Sequence, residues 1–350
     1  MTQEQASSFS PTINDIARVA EVSLATVDRV LNARPGVREA TVKKVNQAIA
    51  ELGYVRDTAA ANLARGRVYN FVFILPLNSN EFITSLETQI KQLGTALRRE
   101  RTRLSFVRVA AFDPIALAEA IDKIDTSRVD GVAIFGPETP SVRDSITHLK
   151  ANGVTVVSLV ADIPSSERDH YVGVDNVAAG RTAAHLLGRF VGPQQGSILV
   201  LTGSMLERDH LERRLGFDEV MTGDFPNLTA LASLEGRDDP ELIEQLLPDV
   251  FDGNSDIVGI YSSAAGNEGL LRFLHRNTLP VRPVLVAHEL TQLSRAALQS
   301  GAFDAIISQD SGHLVRSAVR IMRANSDKLP INTAQERIRI DIYLKENMPL

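Results

Sequence analysis

Nine residues of this chain have side chains suited to holding a small polyhydroxylated ligand: Asn78, Asn80, Phe82, Glu138, Asp162, Arg213, Asn267, Glu289 and Gln309. Carboxylates and amide oxygens accept from hydroxyl groups, and one carboxylate such as Glu289 can serve two adjacent hydroxyls. Phe82 offers a flat face to the apolar side of a ring. Most of the nine stand just after apolar runs, where α/β proteins hold their ligands. A sugar, polyol or sugar acid is the expected ligand. Each residue also has a plainer use, since Asn and Asp in such places make turns and caps. Asp175 and Asn176 are read as caps of the helix that follows. His288 is read as a neighbour that points away from Glu289 or braces it.

A second chemistry is written near the N-terminus, in "VSLATVDRVLN" from Val22 to Asn32. Helical spacing turns Val27, Val30 and Leu31 inward and leaves Leu24, Ala25, Asp28 and Arg29 on the other side. Arg29 has the forked donors that match a guanine edge, while Leu24 and Ala25 offer only apolar contact, for example to a thymine methyl. Asp28 sets a negative charge where phosphates would come. Either it accepts from a cytosine amino group, or it pairs with a nearby arginine and gives up a phosphate contact.

The elements that must position these side chains follow from periodicity. Ile13, Ile16, Ala17 and Ala20 mark a first short helix, and Ser23 is the N-cap of a second. Val42, Val45, Ile49 and Leu52 stripe a third, which ends at Gly53. Three such helices read equally as a helix-turn-helix or as a plain bundle. Farther on, "NFVFILPL", "LSFVRVAAF", "GVAIFGP", "VTVVSLVAD", "GSILVLTG", "IVGIYSSA", "RPVLVAHE" and "FDAIISQD" alternate with helical segments such as 82–100, 138–152, 176–191 and 311–324. Near-continuous apolar strands between helices predict parallel sheets covered on both faces, an α/β class. The strands are too many for one small sheet, so two similar lobes with a cleft are expected.

Bulk properties narrow the function. A chain of 350 residues predicts two or three domains. Cysteine is absent, which excludes disulfides, thiolate metal sites and a cysteine nucleophile. The net charge is -6, yet between Thr12 and Arg67 nine Lys and Arg stand against six Asp and Glu, a balance of +3. A mildly basic head on an acidic body suits a nucleic-acid module joined to something else. "MTQEQASSFSPT" has no apolar secretory core, and no window reaches a membrane span, so a cytoplasmic protein is expected. No G-x-S-x-G, phosphate loop, HExxH or metal spacing appears, so no cofactor, no metal and no catalytic residue is assigned.

"TINDIARVAEVSLATVDRVLN", "VREATVKKVNQAIAELGYV" and "AANLARG" closely resemble the lactose-repressor (LacI) family of bacterial transcription regulators, over an ordered run of about 55 residues. The resemblance implies a helix-turn-helix over 12–57, behind a disordered lead of residues 1–11. It lays the second helix in the major groove, with Leu24, Ala25 and Arg29 at base-reading positions. Thr12, Ser23, Thr26, Asn32 and Thr41 match positions that touch phosphates, and Asp28 departs from the usual Ser. Residues 58–67 match a hinge helix that folds on DNA, with Leu63 as the side chain wedged between base pairs.

"YVGVDNVAAGRTAAHLLGRF", "RRLGF" and "RIRIDIYLKENMP" are similar to that family's effector domain, a periplasmic-binding-protein-like fold of type I. By analogy one lobe takes 68–161 and 309–327, the other 162–308 and 328–350. Arg213 matches the Arg three residues before the Gly of "RxxGF", and Glu289 stands where Asp is common. The implied protein is a ligand-controlled regulator, a repressor of carbohydrate genes that binds a near-palindromic DNA operator as a homodimer. The competing expectations are a solute-binding protein of a sugar transport system and an enzyme.

Overall fold

The computed structural model describes residues 11–31, 35–54, 67–77 and 80–349. Its compact units are residues 1–67 and 68–350.

In the first unit, α1 (Ile13–Val19), α2 (Leu24–Leu31) and α3 (Glu39–Leu52) enclose a core of Ile16, Ala17, Ala20, Val27, Val45 and Ala48. Ile13 departs from the expected inward stripe and is 44% exposed. It opens a helix of seven residues, too short for every apolar position to reach one small core. Ser23 starts α2 by accepting from the Thr26 amide at 3.2 Å. Gly53 closes α3 in the left-handed region, with φ of 60°, where glycine meets no Cβ penalty.

The second unit holds two sheets. Strands β1 (Tyr69–Leu77), β2 (Thr102–Ala110), β3 (Gly131–Ile134), β4 (Thr155–Leu159) and β5 (His170–Val172) run parallel in the order 2-1-3-4-5. Helices α4 (Glu81–Leu97), α5 (Pro114–Asp122), α6 (Pro140–Ala151) and α12 (Ser311–Asp327) cover this sheet. Strands β6 (Gly196–Thr202), β7 (Leu228–Glu235), β8 (Ile257–Ser262), β9 (Val284–His288), β10 (Ala305–Ser308) and β11 (Asp341–Tyr343) form the other, in the order 11-10-9-8-6-7. Only β11 is antiparallel to its neighbour. Helices α7 (Asn176–Val191) and α8 (Arg208–Asp224) pack on one face of it. Helices α9 (Pro240–Gly253), α10 (Asn267–Arg276) and α11 (Gln292–Ser300) pack on the other. Fully buried side chains such as Phe71, Phe73, Phe217 and Ile260 anchor these layers, each contributing about 1.5–3 kcal/mol by leaving water.

Three strands lie outside the apolar runs read from the sequence. β7 is an edge strand with half-exposed residues along its length, and β5 and β11 have three residues each. Short, partly wet strands carry little apolar signal. Two lobe crossings differ from the expected ones. The first sheet continues to Val172, whose carbonyl accepts from the Val160 amide at 2.9 Å, so the chain leaves the first lobe after residue 172 and not at 161. Glu336 still belongs with α12, accepting from Arg320 at 2.6 and 2.7 Å. The last crossing therefore lies between 336 and 341, not at 328.

Candidate functional site

Parallel strands present all their C-terminal ends on one side, and here the ends of both sheets face one cavity of about 250 Å³. Its wall takes Pro76 from β1, Ala111 and Phe112 after β2, Phe135 after β3 and Val160 after β4. From the other sheet come Glu207 after β6, Asp238 after β7, Asn267 after β8, Glu289 after β9 and Gln309 after β10. Four of these lining residues turn through the left-handed region: Phe112, Val160, Asp238 and Glu289, with φ of 57°, 66°, 58° and 67°. That conformation is costly for a β-branched residue such as Val160, and such strain collects at binding sites. The Val160 carbonyl is held by the Tyr171 hydroxyl at 2.8 Å.

Six of the nine expected ligand residues line the cavity: Asn80, Phe82, Arg213, Asn267, Glu289 and Gln309. Asn78 lies outside the described residues. Glu138 and Asp162 are placed elsewhere. Asp162 is tied to Arg168 at 2.6 Å, the Ser158 hydroxyl at 2.8 Å and the Ile163 amide at 2.7 Å, which braces the loop after β4. Glu138 accepts from the Ser165 amide at 3.1 Å and pairs with Arg143 and Arg208.

Arg213 is 3% exposed and fixed from behind. Its Nε donates to Asn176 Oδ1 at 3.0 Å, and a terminal nitrogen donates to the Ser263 carbonyl at 2.7 Å. Two glycines let its helix approach this closely. A Cβ at Gly180 would lie 1.9 Å from the Arg213 carbonyl oxygen, and one at Gly216 would lie 2.0 Å from that of Val177. The glycine of "RRLGF" is thus needed for packing, and the arginine gains its position from it. Asp175 caps α7 through the Ala178 amide, as read from the sequence, whereas Asn176 orients Arg213.

The remaining wall is acidic. Glu207 and Asp209 are 5% and 3% exposed, and burial pushes the Glu207 carboxyl up to about 8, with Asp209 and Asp238 adding to the effect. Burial also raises Asp238 and Glu289. Glu289 accepts from Gln309 Nε2 at 2.9 Å. His288 braces the floor: its Nε2 meets the Tyr261 hydroxyl at 2.9 Å, and burial keeps the ring neutral well below its usual pKa. Glu207 Oε2, Asp209 Oδ1 and Gln309 Oε1 are buried without a hydrogen-bond partner. Buried acceptors rarely stay unsatisfied, so these three await donors.

Glu207, Asp209, His210 and Asp238 were not singled out from the sequence. The first three fall in "LERDHLERR", a charged stretch that reads as a solvated helix start. Asp238, in "GRDDP", reads as a turn. Their place after β6 and β7 was the available signal, and β7 had to be seen first. Contacts also bridge the two lobes. Glu81 accepts from the Gln292 and Leu293 amides at the start of α11, at 2.6 and 3.3 Å, and Asn80 donates to Asp238 at 3.4 Å.

In the first unit, Leu24, Ala25, Asp28 and Arg29 share the exposed side of α2, opposite the buried Val27. Thr12 lies at the start of α1, its amide and hydroxyl donating to Asp15, and the Ser23 and Thr26 hydroxyls meet at 2.9 Å. Thr41 is half-buried in the first turn of α3. Asn32 and Leu63 lie outside the described residues.

A helical module of this kind followed by a two-lobed cleft defines a class. Residues 12–57 match the bacterial regulatory proteins of the lacI family, and residues 71–328 match the periplasmic binding protein domain. The chain belongs, over its body, to the periplasmic binding protein domain family, and carries a lacI-family helix-turn-helix domain ahead of it. Among its relatives are the catabolite control protein A of Priestia megaterium, 28% identical over 60% of this chain, and that of Staphylococcus xylosus, 32% identical over 36%. The chain spans 61% and 37% of the length of these two relatives. The fold is shared with a glucose-galactose binding protein from Geobacillus stearothermophilus, with a TM-score of 0.71, 19% identity and 81% and 100% of the two chains covered. It is shared too with a solute binding protein from Burkholderia graminis in complex with D-arabinose, with a TM-score of 0.70, 20% identity and 80% and 96% covered. Among the described residues, no helix is long and apolar enough to cross a membrane.

Proposed function

We propose that this chain is a cytoplasmic transcription regulator that binds a near-palindromic DNA operator as a homodimer and answers to a small carbohydrate. The supporting observation is the joining, in one chain, of a lacI-type module over 12–57 to a polar cleft between two α/β lobes. On this reading Arg29 reads a guanine, Leu24 and Ala25 make apolar base contacts, and Thr12, Ser23, Thr26, Asn32 and Thr41 hold phosphates. Asp28 tunes that face, and Leu63 wedges into the minor groove. Asn80, Phe82, Arg213, Asn267, Glu289 and Gln309 grip the effector. Glu81 and Asn80 reach across the lobes, so an effector that fills the cleft stabilises the closed arrangement. Its differential affinity for two states of the dimer then sets DNA affinity.

The reading is of repression of carbohydrate genes by a binding protein, not of catalysis. A transport-type solute-binding protein shares the body fold, and the lacI-type module disfavours it. The test is operator selection from random duplex DNA, followed by titration with and without carbohydrates. A selected palindrome whose affinity responds to one carbohydrate supports the proposal. Absence of any DNA preference, or turnover of a sugar by the purified protein, sinks it.

A further inference from the structure

The cleft is too acidic to favour an anionic ligand. Six of the described lining residues are acidic, and Arg213 is the one Lys or Arg among them. Glu207 keeps its proton up to about pH 8 in the empty cleft and can give it up beside a cation, while Glu268 is paired with Arg272. Arg213 is already engaged with Asn176, the Ser263 carbonyl and, at 3.8 Å, Asp209 Oδ2, which leaves Asp209 Oδ1 unserved. His288 is held neutral, and the His210 ring is occupied at Nδ1 by the Ser204 backbone, at 3.0 and 3.2 Å. Burying an uncompensated charge is costly, and a second anion beside these carboxylates would be costlier still.

The unsatisfied atoms point the same way. Glu207 Oε2, Asp209 Oδ1 and Gln309 Oε1 are acceptors, each on a side chain more than nine-tenths buried in the wall of this cavity. Hydroxyls both donate and accept, whereas an ammonium has three donors and no acceptor. Phe82, Phe112 and Phe135 line the same wall, and aromatic rings are partners a cation favours. Among the described residues no cluster of His, Asp and Glu is arranged for a metal ion.

We infer that the effector carries a protonated amine on a compact hydroxylated frame, as in an amino sugar or aminopolyol, and that Glu207, Asp209 and Asp238 receive it. This rests on the carbohydrate reading above and narrows it against sugar acids.

The test is calorimetric titration and thermal shift of the full chain with matched probes. D-glucosamine, D-galactosamine and D-mannosamine are each compared with the parent hexose, the N-acetyl derivative and the aldonate. An amine is expected to bind at least about tenfold tighter than its neutral and acetylated partners, the size of one charged hydrogen bond, and the aldonates not at all. Glu207→Gln should erase that preference, the amine then binding no tighter than its N-acetyl partner. Asp238→Asn serves the same purpose if the first variant folds poorly. A parent sugar or aldonate that binds as tightly as its amine overturns the inference and leaves the carbohydrate reading standing. Silence from the whole panel counts against both.

Discussion

Removing the charge of Glu207 should change how stability depends on pH. Its carboxyl is raised from 4.5 in the unfolded chain to about 8 in the folded protein, chiefly by burial. Between these values the folded state binds more protons than the unfolded state, so stability falls as pH rises. The contribution is fully present below about pH 4.5 and lost through pH 8. A shift of this size corresponds to about 5 kcal/mol at most, at roughly 1.4 kcal/mol per unit, and relaxation of the site should reduce it to about 2–3 kcal/mol. Glu207→Gln keeps the shape and cannot ionise. The assay is thermal unfolding of effector-free protein from pH 5 to 8. The variant should match wild type near pH 5 and exceed it near pH 8, by on the order of 5 °C. Taking the difference between the two proteins removes the common contributions of Glu289 and His288. A difference that does not vary with pH would refute the reasoning, because Glu207 would then be ionised throughout.

Four further outcomes are expected. Arg29→Ala should weaken operator binding by about 1–3 kcal/mol and relax one position of the site, and an equal loss on random duplex would reduce Arg29 to a phosphate contact. Gly216→Ala places a Cβ 2.0 Å from the Val177 carbonyl oxygen, so denaturant unfolding should show at least about 1–3 kcal/mol lost, with weaker effector binding as Arg213 shifts; an unchanged midpoint would contradict this. Glu81→Gln removes a negative charge from the start of the opposite lobe's helix, an effect of about 0.3–1 kcal/mol. Small-angle scattering of the body should then show a more open average shape, and an identical profile would discount this link between the lobes. Asp162→Asn should lower stability by loosening Arg168 while effector affinity holds, so loss of affinity without loss of stability would return Asp162 to the cleft.

Local chemistry made the head legible. Ser23, Gly53 and the stripe of Val42, Val45, Ile49 and Leu52 act within one helix or one turn, so spacing alone predicts α2 and α3. The long buried strands were legible for the same reason, since a strand covered on both faces must be apolar nearly throughout. Strand ends then pointed to Asn80, Asn267, Glu289 and Gln309, because parallel strands deliver their ends to one side. What only the tertiary structure decided depends on contacts between distant segments. β5, β7 and β11 are too short or too wet to announce themselves; β5 moved the first lobe crossing, and the pairing of Glu336 with Arg320 moved the last. Glu138 and Asp162 follow strands as the cavity residues do, yet Arg208 and Arg168 hold them in structural pairs. The acidity of the cleft could not be read from charge content, since Glu207, Asp209 and Asp238 resemble surface acids until the packing of α8 against α7 and the turn after β7 withdraw them from water. Burial is a property of the whole fold, and it is burial that sets these three carboxyls apart from surface acids.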